Sequence, residues 1–459
     1  MRGPKMPTVK KLLRFGSLKE NFPEIGVILA PVFVEQFFVS VCSLIVGIIL
    51  GQVGQAEVAA YNLIENVNFL VMQVFLSIGA GTAVVVAQYR GRGDPKAAGE
   101  AAVQSLALTL TLAVVCSALL LLFRAPLLGF ILGAAEREVL DAGGLFFTLS
   151  IFSFPFLGLM NCSHNILRGS GHARRTMPMI VSVSAIHALL SWIMVSYMEL
   201  GILGAGLAIV ISRGFGAVYG LASVRRGNDN LIIDSILPRS IDMAKIKIVL
   251  TVGVPAAIEQ ILFQSGRLLT QTYAISFGTQ ALAANSIANT IYNFINLPAI
   301  ALQLTIVPLV GKYIGMEEPA KAKQISSDCL MIGAVMLAGI SLIMSVMLNP
   351  FISLFGQSAE VNETLRVILI SCMWTTFVFM PFSFILPGAL RAAGDVKMTT
   401  AVSVISMFLI RVSLSYVLTY YTPLGVIGIW VGMYIDWVAR SIVFVARFKG
   451  GKWLKYKLV

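Results

Sequence analysis

Residues 24 to 224 recur 224 positions further along the chain, and this repeat limits the fold more than any other feature. Pro31, Glu35 and Gln36 return as Pro255, Glu259 and Gln260. Tyr89-x-Gly91 returns as Tyr313-x-Gly315, Pro95 as Pro319, and Gly201-x-x-Gly204 as Gly425-x-x-Gly428. Pro126 and Ala135-Glu136 reappear as Pro350 and Ala359-Glu360, while Leu167-Arg168 comes back 223 positions later as Leu390-Arg391. A duplicated unit must fold the same way twice, so any architecture has to divide into two equivalent halves.

Composition then selects the solvent. The chain of 459 residues is 57% hydrophobic and 12% charged, with a mean hydropathy of +0.86. No water-soluble core needs that much apolar surface, whereas a helix crossing a bilayer needs about 20 apolar residues in succession. Twelve apolar segments can be read: 24–50, 58–88, 101–123, 138–167, 177–198, 203–224, 246–277, 281–311, 324–348, 362–389, 398–420 and 426–446. Six fall in each copy. The fold class expected is an all-α polytopic membrane protein, with twelve transmembrane helices in two pseudo-symmetric six-helix lobes. The boundaries are a segment 1–23, an N-lobe 24–224, a linker 225–245, a C-lobe 246–446 and a basic tail 447–459. Pro155, Pro298 and Pro381 lie inside segments, where a missing N–H kinks or breaks a helix.

The net charge of +12 does not point to nucleic acid. Of 34 Lys and Arg residues, 27 lie at the two ends and in alternate connections, and three (Arg124, Arg137, Arg366) lie in the opposite ones. That asymmetry is the positive-inside signal, and it leads to the expectation that both termini lie in the cytoplasm. The partners expected are a lipid bilayer and a small molecule, with the chain expected to work as a monomer. The five cysteines have no CxxC spacing and read as small apolar residues. HExxH, GxSxG and a phosphate-cradling Gly-Lys-Ser/Thr loop are all missing, so neither an enzyme nor an ATP-driven pump is expected.

Ionisable residues deep in apolar segments mark function, because each costs about 2.5–3.5 kcal/mol at the bilayer centre on the more lenient scale. Eight lie well inside: Glu35, Glu65, Arg213, Glu259, Arg267, Arg411, Asp436 and Arg440. Glu35 and Glu259 sit near mid-segment, four residues after a proline, where a carboxylate can carry a proton or meet Na⁺ or a cation. A carboxylate held by Gln36, by Gln260 or by an Arg on another helix is the structural alternative. Asn285, Asn289, Asn293 and Asn296 recur at helical spacing, giving either a cavity wall or interhelical hydrogen bonds. Their counterparts in the first copy are Tyr61, Glu65, Phe69 and Met72. Gln260, Gln264, Arg267 and Gln271 form another polar face. Arg267 lies about 12 Å along the axis from Glu259, too far for a salt bridge. Asp436 and Arg440 are four apart, suited to a structural pair. His164 and His187 have no acid at helical spacing and read as packing residues.

The run from Gly253 to Gly278, followed by Ala283-Ala284-Asn285, resembles the seventh and eighth helices of the multidrug and toxic compound extrusion family, bacterial type. Asn165-x-Leu167-Arg168-Gly169-x-Gly171 is similar to that family's loop after helix four, and Asp436-Trp437-x-x-Arg440 to its last helix. The resemblance implies a V-shaped pair of lobes, alternating access, and export of organic cations in exchange for H⁺ or Na⁺, with no other cofactor. It also implies Glu259 as the coupling acid and candidate Na⁺ ligand. Two departures stand out: Val46 replaces an Asp that many members carry late in helix one, and the tenth segment has no acid between Arg366 and Arg391. The coupling and binding set expected is Glu259, Glu35, Glu65, Gln260, Asn285, Asn289, Asn293 and Arg267, with Asp436 and Arg440 secondary. The alternatives are a flippase for lipid-linked precursors, which Arg213, Arg267 and Arg411 would suit, and a non-transporting receptor.

Overall fold

A computed structural model describes residues 15–133, 136–227, 229–238, 240–353, 355, 358–456 and 458–459; expectations for residues 1–14 and Ala135 lie outside these. The first copy folds as α1 (Phe15–Leu50), α2 (Gln55–Gly91), α3 (Pro95–Leu122), a short α4 (Arg124–Leu132), α5 (Arg137–Gly169), α6 (Ala173–Ser191) and α7 (Gly201–Arg225). The second folds as α8 (Met243–Ile275), α9 (Gly278–Ile295), α10 (Leu297–Gly315), α11 (Pro319–Val346), a short α12 (Leu348–Ser353) and α13 (Ala359–Met380). It ends with α14 (Leu386–Ala392), α15 (Val396–Ile405), α16 (Ser413–Tyr420) and α17 (Ile427–Gly450). Three π-helical turns, Trp192–Tyr197, Pro381–Ile385 and Ser406–Val412, interrupt or extend this order. Among the described residues twelve helical spans are long and apolar enough to cross a membrane, as the hydropathy pattern requires.

The backbone repeats as well as the sequence. Left-handed residues pair between the copies: Gly93 with Glu317, Gly201 with Gly425 and Gly227 with Gly451 at 224 positions, and Gly171 with Gly394 at 223, the same one-residue slip as Leu167-Arg168. Each marks the same helix end in both copies. The Gly-x-x-Gly motif thus has two jobs. Gly201 (φ 53°) and Gly425 (φ 51°) turn the chain, while Gly204 and Gly428 let helices touch. A Cβ on Gly204 would lie 2.8 Å from the Met194 backbone, and one on Gly428 2.7 Å from that of Leu418. Bilayer helices gain little from apolar burial against one another, so close approach through small residues carries their packing.

The prolines act differently by position. Pro155 sits inside an unbroken α5. Pro381 opens a π turn, and Pro298 lies in the first turn of α10. The eighth segment, expected as one helix over 281–311, is therefore two. Pro298 cannot donate back to Phe294, and its ring crowds the preceding turn, so the helix ends at Ile295 and restarts at Leu297.

Contacts divide the chain into two compact units, one containing residues 30–261 and the other 262–458 together with the beginning of α1 up to Leu29. Thus α1 is divided at Leu29 and α8 at Ile261, whereas the repeat boundary falls in the linker. In the first unit α5 packs against α2, α3 and α7 around Phe146, Phe147, Ile151 and Phe154, all fully buried. Val46 belongs to this apolar cluster. The linker lies on the start of α3: Ile232 N–H donates to the Pro95 carbonyl at 3.0 Å, and Lys245 reaches Glu100 at 2.5 Å. In the second unit the start of α1 is held by α10 and α11. Asn21 donates to Asp328 at 2.5 Å, while Glu24 accepts from Lys312 at 2.8 Å and from the Tyr313 hydroxyl at 2.6 Å.

Candidate transport site

Glu35 is fully buried, and α5 and α6 have built a socket around it. His164 Nε2 lies 3.2 Å from Oε2, which also accepts from Arg168 Nη2, while the Thr176 hydroxyl donates to Oε1. His164 and Arg168 are one turn apart on α5, so both face α1. Both carboxylate oxygens are engaged and the charge is balanced by a guanidinium. Removing either partner would strand a buried charge, at about 3–5 kcal/mol. The reading of His164 as a packing residue needs correction. Its acid comes from 129 residues away, a distance that no helical spacing can reveal.

Glu65, on α2, occupies a looser setting. Its Oε2 accepts from Asn68 Nδ2 at 2.9 Å, and the same amide contacts Ser150 Oγ at 3.1 Å. Arg213 is within electrostatic reach of Glu65, yet it donates to Ser153 Oγ at 2.6 Å rather than pairing with the acid. Tyr61 lies against Phe146 with ring centroids 5.0 Å apart. Glu65, Asn68, Ser150, Ser153 and Arg213 thus form one polar cluster drawn from α2, α5 and α7.

Glu259 is buried on α8, one residue before Gln260, whose side-chain oxygen stands 3.5 Å from Gln73 Nε2. This part of α8 runs close to α2 because both helices carry glycine there. A Cβ on Gly81 would fall 2.6 Å from the Val249 carbonyl oxygen, and one on Gly253 would fall 3.0 Å from Ile78 Cα. The repeat mates Glu35 and Glu259 are therefore both buried mid-helix.

In the second unit a cavity of about 210 Å³ is walled by α8, α9, α17 and the π turn before α16. Arg267, Asn285, Asn289, Arg411, Trp430 and Met433 face it. Asn285 Oδ1 accepts from Trp430 Nε1 at 3.0 Å, which fixes both side chains. Asn289 bonds back to the Asn285 carbonyl at 2.8 Å. The expected four-amide stripe is shortened. Asn293 is exposed, and Asn296 falls in the break created by Pro298, off the helix face. Asn285 and Asn289 remain in the wall.

Three residues beyond Met433 on α17, Asp436 is fully buried; it accepts from the Ser406 hydroxyl and pairs with Arg440 at 3.0 Å, the i,i+4 pair that the spacing predicts. Arg411 and Arg440 both stand over the Phe263 ring, at 5.6 and 5.5 Å from its centre. The sequence pattern missed the part played by Arg411, which sits on the π turn Ser406–Val412. Such turns add a residue to the coil, re-aim side chains and often lie at functional sites. The available signal was a lone arginine deep in an apolar segment.

Twelve spans in two copies, with buried ionisable clusters inside the spans, define a polytopic membrane transporter. The MatE family model matches residues 31–193 and again 255–417, the same 224-residue displacement as the repeat. The chain belongs to this family, the multidrug and toxic compound extrusion transporters. A relative in Bacillus subtilis, the probable multidrug resistance protein YoeA, is 23% identical over 437 residues and covers 94% of both chains. The fold matches a solved multidrug resistance MATE family transporter in an outward-facing conformation, with a TM-score of 0.85 at 21% identity, covering 98% of this chain and 100% of that one. It also matches a Pyrococcus furiosus transporter of the MOP superfamily, described as having a binding pocket of reverse polarity that suggests a different function. That match has a TM-score of 0.85 at 20% identity and covers 99% and 100% of the two chains. The multidrug relatives disfavour the flippase alternative.

Proposed function

We propose that this chain is a secondary antiporter that exports small amphipathic organic compounds in exchange for H⁺ or Na⁺ by alternating access, with Glu259 as the coupling carboxylate. The observation that carries the proposal is that Glu259, an acid in the middle of an apolar span, is buried on α8 at the position repeat-equivalent to Glu35. Glu35 is locked to Arg168, His164 and Thr176, which suits a fixed anchor. The coupling role is assigned to Glu259, with Glu65 the candidate acid of the first copy. A buried carboxylate that gains and loses a proton or Na⁺ changes the charge of its helix and so biases one conformation over the other. Multidrug relatives such as YoeA support the substrate class, and the Lys/Arg asymmetry supports a plasma-membrane location with cytoplasmic termini.

The test is efflux of a reporter dye from proteoliposomes under separately imposed pH and Na⁺ gradients. One gradient should drive wild-type efflux, and Glu259→Gln should abolish the coupled component while leaving the protein folded. Normal gradient-driven efflux by Glu259→Gln would refute the assignment.

A further inference from the structure

Arg267, Arg411 and Arg440 are all in the second copy, where the only acid among their described neighbours is Asp436, already engaged with Arg440 and Ser406. At the repeat spacing Arg267 corresponds to Ser43, and Arg440 to Gly216. Of the two guanidiniums in the cavity, Arg267 is thus an addition to the shared scaffold, while Arg411 falls at His187 at the same spacing. Two of the three guanidiniums, Arg267 and Arg411, line the cavity, and no carboxylate does. Arg411 is nine-tenths buried and its Nε has no hydrogen-bond partner. A buried guanidinium with an unused donor is costly unless an acceptor arrives.

The remainder of the wall is apolar or amphipathic. Ile429, Trp430 and Met433 supply surface for a ring or a short chain, and Asn285 and Asn289 supply amides. At about 210 Å³ the space is smaller than the ~300–1,000 Å³ of drug-sized ligand sites, so a bulky polycyclic compound does not fit. We propose that this cavity binds a small organic anion. Its carboxylate or phosphate is held between Arg267 and Arg411, and its apolar body lies on Trp430, Ile429 and Met433. Arginine suits this role because its planar fork of donors matches both oxyanions. The proposal deepens the transporter reading, and rests on it only in treating the bound anion as cargo.

The test uses the full-length protein in nanodiscs with no ion gradient, titrated with benzoate, phenyl phosphate and benzylammonium, with tryptophan fluorescence and calorimetry as readouts. One or both anions should bind and benzylammonium should not compete; comparing benzoate with phenyl phosphate identifies the preferred oxyanion. Arg267→Gln and Arg411→Gln should each weaken the anion about tenfold or more, as expected for a lost charge-assisted hydrogen bond. Arg411→Lys, which keeps the charge, should recover part of the affinity even where a Gln variant folds poorly. Absence of anion binding to the wild type, equal binding of benzylammonium, or unchanged affinity in both Gln variants would overturn the proposal. Because no gradient is applied, these outcomes are independent of ion coupling. Gradient-driven export of a cationic dye without anion binding would sink this inference and leave the transporter reading standing.

Discussion

At the scale of single residues, Glu35 shows how a buried acid is made tolerable. Its oxygens meet an imidazole, a guanidinium and a hydroxyl on two other helices. Glu35→Ala should lower stability by about 3–5 kcal/mol, because Arg168 would be left buried without its counter-charge. Thermal unfolding in detergent would show this as a large drop in Tm, and adding Arg168→Met should restore much of it. An unchanged Tm in the single variant would contradict the geometry. Gly93 makes a simpler case. It has φ 74° and nothing within 4 Å of a Cβ, so Gly93→Ala should cost about 1–2 kcal/mol from backbone strain alone. Asp242 sits just before α8, and its carboxylate accepts from the Ala244 and Lys245 amides at 3.0 and 3.2 Å. The Lys245 side chain beside it, at 3.0 Å, and these amides hold its pKa below the usual carboxylate value. A depressed acid stabilises the fold above its unfolded pKa, and that contribution is lost as pH falls through the folded value. Protection of the amides in the first turn of α8, measured against their intrinsic exchange rates, should therefore fall below about pH 4, and Asp242→Asn should remove that loss of protection.

At the scale of helices, packing is decided where small residues let backbones meet. Gly204 and Gly428 occupy the same place in the two copies, each against the preceding span of its own copy. Replacing either with Val should cost about 1–3 kcal/mol, since the obstacle is backbone rather than a movable side chain. Gly47→Val, with nothing within 4 Å, is the control and should be near neutral. Melting of the three purified variants side by side would check the ranking. One helix start carries a clear chemical mark. Asp94 followed by Pro95 caps α3 through the Ala97 amide at 2.9 Å, as an N-cap acid before a proline should. Interruptions were readable only where proline makes them, as at Pro298 and Pro381. The π turn Ser406–Val412 contains no proline and no glycine, so local sequence carries no mark of it.

At the scale of the whole molecule, topology and site follow from different kinds of information. The Lys/Arg asymmetry predicts both termini on the cytoplasmic side. Protease-sensitive tags at either end should be cleaved in inside-out vesicles and protected in right-side-out ones; the reverse would overturn the orientation. Twelve spans, the duplicated scaffold and the family were legible in the sequence because hydropathy and repetition are one-dimensional signals. The acids Glu35, Glu65 and Glu259 were also legible, since charge in an apolar run stands out wherever it lies. Their partners were not. His164, Arg168 and Thr176 reach Glu35 from 129 to 141 residues away, and Arg411 reaches the cavity only through a π turn. By itself, then, the sequence determined the solvent, the number of spans and the symmetry of the scaffold, because these depend on apolar length and recurrence. Tertiary structure alone decided which buried charges are balanced and which face open space. Charge compensation acts through distances of a few ångströms, and only the packing of helices sets those distances.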